Sequence, residues 1–175
     1  NRLLLLILAL AGPLAAQEKD YANWQADFDA AMVIAKAEGK DLLVHFTGSD
    51  WCGWCTRLDE EVFSHESFLN PVQKKYVLVA LDFPHAEETK AKVPNPKRNN
   101  ELNQIYGVLG FPTILLINIE SQVFGRTGYQ EGGPEKYAED LTTLAEEGRI
   151  ALKKVHAIQA EFAAAESRLA RMAVI

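Results

Sequence analysis

Apolar residues follow two different periods along the chain, and the change between them predicts alternating strands and helices. Three mostly apolar segments, at 41–47, 77–83 and 113–119, are typical of buried strands. A shorter run at 122–126 follows the third run after a two-residue turn, which predicts a β-hairpin. Elsewhere the apolar residues recur every three or four positions, as on one face of a helix. The predicted helices lie at 24–39, 51–63, 64–76, 101–106 and 132–147.

The order of these elements indicates the fold class. Strands that are separated by helices require parallel crossovers, and the final hairpin adds antiparallel pairing. We therefore expect an α/β fold in which a mixed central sheet carries helices on both faces. The segment 84–100 is polar and contains three prolines, so we predict a loop there.

The helical pattern continues past Gly148 to the end of the chain. Its apolar positions are Leu152, Val155, Ile158, Phe162, Ala165 and Leu169, and its basic positions are Lys153, Lys154, Arg168 and Arg171. We interpret 148–175 as a C-terminal amphipathic helix added to a domain at 20–147. We expect this helix to pack against its own domain, and contact with a partner is the alternative.

The first sixteen residues have the layout of a secretory signal peptide. Arg2 precedes an unbroken apolar run at 3–11, and Gly12-Pro13 and small residues follow up to Ala16. The run is well short of the roughly 20 residues that span a bilayer, so no transmembrane segment is expected after cleavage near Ala16. The mature protein is then predicted to be periplasmic or secreted, in an oxidising compartment.

Charge argues against nucleic acid as a partner. The 175-residue chain has the 48% hydrophobic and 24% charged residues of a soluble globular protein, and its net charge is −6. Phosphate binding needs concentrated Lys and Arg, whereas the basic residues here are scattered. We therefore expect no nucleic-acid binding.

Two cysteines, Cys52 and Cys55, form a Cys-Gly-Trp-Cys motif where a turn opens a predicted helix. A disulfide across so short a loop stabilises a fold by only about 2 kcal/mol, so the pair is more useful for chemistry. Free backbone N–H groups and the helix dipole favour a thiolate on Cys52. Cys55 lies one turn further and could attack a mixed disulfide formed by Cys52. The motif predicts thiol–disulfide exchange, with the disulfide itself as redox group and no other cofactor.

A metal site is the other common use of such a motif. Zinc needs four ligands, and the sequence has no second Cys-x-x-Cys and no closely spaced pair of histidines. We therefore predict no metal site. A Cu(I) metallochaperone that uses the two thiolates with a histidine remains an alternative function.

The sequence around the cysteines resembles the thioredoxin superfamily. The segment 46–55, Phe-Thr-Gly-Ser-Asp-Trp-Cys-Gly-Trp-Cys, follows a predicted buried strand, and the segment 110–113, Gly-Phe-Pro-Thr, opens a later one. Together with 58–63, these segments are similar to the exported bacterial thioredoxin-like branch, which is related to the C-terminal domains of periplasmic thiol:disulfide interchange proteins. The resemblance covers about 20–147 and implies a thioredoxin fold and a protein thiol–disulfide oxidoreductase.

The resemblance also implies roles for individual residues. Cys52 becomes the nucleophile and Cys55 the resolving thiol, and protein thiols and disulfides become the partners. Pro112 is implied to be a cis-proline that faces the cysteines and exposes backbone to a substrate strand. The implied substrate-binding residues are Trp51, Gly53, Trp54, Phe111, Pro112 and Thr113.

His45 stands where thioredoxins carry a buried acid that accepts the proton of the second cysteine. Either His45 accepts this proton, or solvent does. A further possibility is that His45 points to the opposite side of the sheet and satisfies a backbone carbonyl. The acidic residues of the motif helix, including Asp59, are expected to be solvated. A redox-inert interaction module remains a third function, and the direction of electron flow stays open.

Overall fold

The computed structural model describes residues 23–172, so the predicted signal peptide at 1–16 lies outside the described residues. The helices are α1 (Phe28–Glu38), α2 (Gly53–Leu58), α3 (Glu66–Val72), α4 (Glu87–Lys90), α5 (Pro96–Ile105) and α6 (Gly133–Met172). The strands are β1 (Asp41–Thr47), β2 (Tyr76–Asp82), β3 (Thr113–Ile117) and β4 (Val123–Thr127). A π-helical turn, Asp59–Phe63, continues α2 without a break.

The four strands form one mixed sheet in the order β2-β1-β3-β4. β1 pairs in parallel with β2 and antiparallel with β3, and β3 pairs antiparallel with β4. The parallel pair is connected by α2 and α3, as a crossover requires. The predicted mixed sheet with helices on both faces is confirmed.

The alternation of β1 divides the core into two layers. Leu43 packs on the side that carries α2, α3 and α6, whereas Leu42, Val44 and Phe46 pack on the side that carries α1 and α5. All four side chains are fully buried. His45 alternates with Val44 and Phe46, and it therefore lies in the layer of the motif helix.

The start of α1 differs from the prediction. The helix begins at Phe28, four residues after the predicted start at Trp24. The side chain of Asp27 accepts a hydrogen bond from the N–H of Ala30 at 2.9 Å, and this cap fixes the first turn. Trp24 is nevertheless buried in the core.

The loop predicted at 84–100 is wrong in part, because it contains α4 and the first turns of α5. Asn95 caps α5 by accepting a hydrogen bond from the N–H of Arg98 at 3.3 Å. Pro96 occupies the first helical position, where its missing N–H leaves no bond unmade. A proline that suggested a loop therefore marks the start of a helix.

α6 runs through Gly148 without interruption. A Cβ at this position would lie 1.5 Å from the carbonyl oxygen of Phe124, so only glycine lets the helix approach β4 so closely. The helix has 40 residues and is about 60 Å long at 1.5 Å per residue, far longer than the five-residue strand beneath it. None of the helices within 23–172 is long and apolar enough to cross a membrane.

Beyond Gly148, several apolar residues of α6 remain at the surface. Val155, Ile158 and Phe162 are all exposed, and Phe162 keeps 69% of its surface accessible. The expected packing of the extension against its own domain is therefore wrong for these three residues, because their side chains face away from it. Contact with a partner through this helix stays a prediction, as does the boundary between 147 and 148.

Candidate active site

Cys52 and Cys55 form a disulfide where the turn after β1 becomes α2. Cys52 caps the helix, and its Sγ accepts a hydrogen bond from the N–H of Cys55 at 3.2 Å. Cys52 retains 6% of its surface, whereas Cys55 is fully buried. An external thiol or disulfide can therefore reach Cys52 before Cys55.

The turn that leads into the motif is held by the end of β2. Ser49 donates hydrogen bonds from its N–H and its hydroxyl to the two carboxylate oxygens of Asp82, at 2.8 and 2.5 Å. The N–H of Cys52 donates to the carbonyl oxygen of Gly48 at 2.9 Å. The redox pair is thus anchored to the ends of β1 and β2.

Asp50 ties the same turn to the chain beyond β2. Its carboxylate accepts hydrogen bonds from the backbone N–H groups of His85, at 2.9 Å, and Ala86, at 2.7 Å. The bond from Ala86, followed by the bond from His85, lowers the pKa of Asp50 below its ordinary value. The carboxylate therefore holds this segment at neutral pH.

Trp51 is fixed on the surface beside the disulfide. Its indole stacks on the ring of His85 with 4.7 Å between centroids, and its N–H donates to the carbonyl oxygen of Phe83 at 2.8 Å. The centroids of the Trp51 and Phe111 rings lie 5.5 Å apart in an edge-to-face contact, which brings the motif and the later Gly-Phe-Pro-Thr segment together. Because 43% of Trp51 remains exposed, it can still contact another molecule.

The Gly-Phe-Pro-Thr segment has the backbone that the resemblance implied, since the peptide bond between Phe111 and Pro112 is cis. Thr113 is buried at the start of β3, and its hydroxyl donates to the carbonyl oxygen of Gly110 at 2.8 Å. Thr113 thus uses its side chain within the loop. Its predicted contact with substrate stays a prediction.

Gly53 and Trp54 lie at the exposed tip of the motif. Trp54 keeps 56% of its surface accessible and packs against Tyr129, which sequence reasoning did not single out. Arg57 and Glu61 also belong to this contact. Their spacing of three and seven residues after Trp54 places them on one helical face, which was the available signal.

His45 and Asp59 meet in the layer beneath α2. His45 is fully buried, its ring lies 5.2 Å from that of Phe63, and its Nδ1 is 3.7 Å from Oδ1 of Asp59. The alternative in which His45 points to the opposite side of the sheet is therefore wrong. Asp59 is only 8% exposed, so the expectation that it is solvated is also wrong. It follows Cys55 by four residues and shares the inner face of the helix.

The disulfide is the group of this site that can carry electrons. Within 23–172, no cluster of three or more His, Cys, Asp or Glu residues is suited to hold a metal ion. The two sulfurs are bonded to each other here, so the thiolates that could bind Cu(I) exist only in the reduced form.

A family model described as a thioredoxin-like domain matches residues 28–143. The chain belongs to the thioredoxin-like family. Its predicted thioredoxin fold is thereby confirmed, and with the Cys52–Cys55 disulfide its chemistry is that of a thiol–disulfide oxidoreductase. The family match ends within α6, so the rest of that helix lies outside it.

Relatives of this thioredoxin-like chain include two bacterial proteins. The disulfide bond reductase DsbH of Chlamydia pneumoniae is 29% identical over 125 residues, which are 71% of this chain and 72% of that protein. The thioredoxin-related protein DsbJ of Chlamydia pneumoniae is 30% identical over 128 residues, or 71% of this chain, but the match spans only 36% of its length. A solved DsbH oxidoreductase superposes with a TM-score of 0.62 at 28% identity, over 70% of this chain and 83% of its own. These relatives support the bacterial branch that the motifs indicated.

Proposed function

We propose that this protein exchanges disulfides with protein partners and that it reduces them. The observation that carries the proposal is the accessible Cys52 at a helix start, bonded to a buried Cys55 one turn further. The DsbH relative is a disulfide bond reductase, which favours the reducing direction.

The exchange takes two steps. In the reduced protein, the Cys52 thiolate attacks one sulfur of a substrate disulfide, so a Cys52–substrate bond forms and the other substrate sulfur leaves as a thiolate. Cys55 then loses its proton and attacks Sγ of Cys52, which releases the second substrate sulfur. Two electrons pass from the protein to the substrate, and the Cys52–Cys55 disulfide described here is the product.

The second step requires a proton acceptor at a buried thiol. Cys55 is fully buried, so bulk water has poor access to it. His45 is buried beneath the helix that carries Cys55, beside Phe63, and a neutral imidazole can accept a proton. Oδ1 of Asp59 stands 3.7 Å from Nδ1 of the imidazole, where it can orient the ring. These contacts support His45 as the proton acceptor and Asp59 as the residue that positions it.

The proposed location is the periplasm or the cell exterior. The charged start, the apolar run and the small residues of 1–16 support export, although they lie outside the described residues. A reductase in an oxidising compartment needs a supply of electrons. We expect a membrane or soluble dithiol donor of the same chemistry to reduce the Cys52–Cys55 disulfide again.

Reduced protein mixed with insulin tests this function. We expect the parent to open insulin disulfides, Cys52→Ser to be inactive, and Cys55→Ser to accumulate a mixed disulfide that is detected by mass spectrometry. A Cys52→Ser, Cys55→Ser double variant that keeps the activity of the parent would favour an inert interaction module. One equivalent of copper bound to the reduced protein, without exchange, would favour a metallochaperone.

A further inference from the structure

Four side chains beside the disulfide form a closed ring of contacts, which we call the Trp54 ring: Trp54, Arg57, Glu61 and Tyr129. The centroids of the Trp54 indole and the Tyr129 phenol lie 5.0 Å apart. The guanidinium of Arg57 is 5.5 Å from the centroid of Trp54 and 5.1 Å from that of Tyr129. Glu61 closes the ring, since it accepts hydrogen bonds from Arg57 Nε at 2.7 Å and from the Tyr129 hydroxyl at 2.6 Å.

Tyr129 is held in place through the residue before it, Gly128. The carbonyl oxygen of Gly128 accepts a hydrogen bond from the buried Tyr137 at 2.8 Å. A Cβ on Gly128 would lie 3.0 Å from the carbonyl oxygen of Pro112, so this position runs directly beside the Gly-Phe-Pro-Thr segment. Tyr129 therefore stands between the two segments that flank the disulfide.

The charges of the Trp54 ring reinforce one another at neutral pH. The hydrogen bond from Tyr129, followed by that from Arg57, lowers the pKa of Glu61 below its ordinary value. The bond to Glu61 raises the pKa of Tyr129 and that of Arg57. The carboxylate, the phenol and the guanidinium thus keep the protonation states that the ring needs.

Trp54 shows more than half of its surface although its partners surround one side of it. An ordered aromatic ring offers a large contact area at a low cost in conformational entropy, and such rings are common centres of protein recognition. Because the Trp54 side chain is already ordered before binding, the entropy cost of association is lower still. Its place between Gly53 and Cys55 puts this exposed surface next to any partner bonded to Cys52.

We propose that Arg57, Glu61 and Tyr129 are positioning residues that hold Trp54 as a fixed contact surface for apolar side chains of a protein substrate. This inference rests on the proposed disulfide exchange, and it adds what selects the substrate. A small disulfide, which has no side chains to contact Trp54, should gain little from the ring. An extended protein segment with a bulky apolar residue near its cysteine should gain most.

Single-turnover oxidation of the reduced protein by insulin and by hydroxyethyl disulfide tests the proposal. Trp54→Ala and Tyr129→Ala should each raise the half-saturation concentration for insulin about tenfold, equivalent to about 1.4 kcal/mol, with a much smaller change in the maximal rate. The rate of Tyr129→Ala with hydroxyethyl disulfide should fall less than twofold. Gln130→Ala, an exposed neighbour outside the ring, should change neither.

The double variant Trp54→Ala, Tyr129→Ala decides whether Tyr129 acts through Trp54. Its half-saturation concentration for insulin should be no higher than that of either single variant. Once Trp54 is removed, Tyr129 has no side chain left to position. Tyr129→Phe keeps the aromatic side chain but loses the hydrogen bond to Glu61, so it should raise the half-saturation concentration less. It also covers the case in which Tyr129→Ala does not fold.

Additive effects, or an equal loss with both disulfides, would overturn the inference. Failure of the parent to oxidise with either disulfide would instead overturn the proposed function.

Discussion

Nδ1 of His45 lies 3.7 Å from Oδ1 of Asp59, and both side chains are buried on the α2 side of β1. Two titratable groups rarely share a core without a reason, because burial disfavours their charged forms unless they are paired. Here each can stabilise a charge on the other. The proton that leaves Cys55 during resolution would be such a charge, once it reaches the imidazole.

His45→Ala should slow the resolution of a preformed mixed disulfide by roughly the 10²-fold typical of a lost general base, and its pH inflection should disappear. Asp59→Asn should slow resolution less than His45→Ala does, because the imidazole stays in the core and only its carboxylate neighbour, 3.7 Å away, is lost. His65→Ala, which removes an exposed histidine, serves as the control. Resolution followed by acid quench against pH measures all three, and an unchanged profile in a folded His45→Ala protein would leave His45 with a structural role only.

The strands were predictable because short, mostly apolar segments mark them directly. β1 occupies 41–47 as predicted, and the cysteine motif and the cis bond before Pro112 are where the resemblance put them. The starts of α1 and α5 were not predicted, since they depend on whether Asp27 and Asn95 turn their side chains to cap a helix. Such a choice depends on packing as well as on residue type.

The parts of the site that sequence reasoning missed involve pairs far apart in the chain. In the sequence Asp59 has the pattern of a solvated charge, and only the fold shows that it lies against β1. The role of Tyr129 likewise depends on its contact with Trp54, 75 positions earlier. The helix that carries Asp59 also departs from α-helical geometry. The N–H of Ser64 donates to the carbonyl oxygen of Asp59 at 2.9 Å, which is the hydrogen bond of a π-helical turn. Helical spacing alone does not reveal that turn.

The two halves of α6 should differ in their effect on stability. Leu141 is buried against the sheet, so Leu141→Ala should lower the free energy of unfolding by about 2–5 kcal/mol. Phe162 is exposed, so Phe162→Ala should change it by less than about 0.5 kcal/mol. Urea denaturation measures both. A comparable loss in both variants would show that the distal half packs against the domain after all.

Gly148→Ala tests the close approach of α6 to β4. Alanine normally favours a helix by about 1 kcal/mol over glycine, so an ordinary helical position would gain stability. Here the new Cβ would overlap the carbonyl oxygen of Phe124, and the helix must move away from the sheet. We expect a net loss of about 2 kcal/mol or more in urea denaturation. Gly110→Ala, where a Cβ would meet nothing within 4 Å, should change stability little, and a stabilised Gly148→Ala protein would contradict the contact.

Asp50 should make the stability of the protein depend on acid pH. Its folded-state pKa lies below its ordinary value of 3.8, first through the N–H of Ala86 and then through that of His85. Its contribution is therefore complete above that value and is lost as the pH falls through the lower, folded-state pKa. Asp50→Asn should unfold at a lower temperature than the parent at pH 7, and the two melting temperatures should converge in strong acid.

Thermal unfolding at a series of pH values measures the effect, and Glu139→Gln, on the exposed face of α6, serves as the control. Because Asp50 holds the backbone of His85, and the His85 ring stacks on Trp51, the Asp50→Asn change should also alter the fluorescence of Trp51 at neutral pH. Melting curves of parent and variant that differ by the same amount at every pH would show that the carboxylate has no special place in the fold.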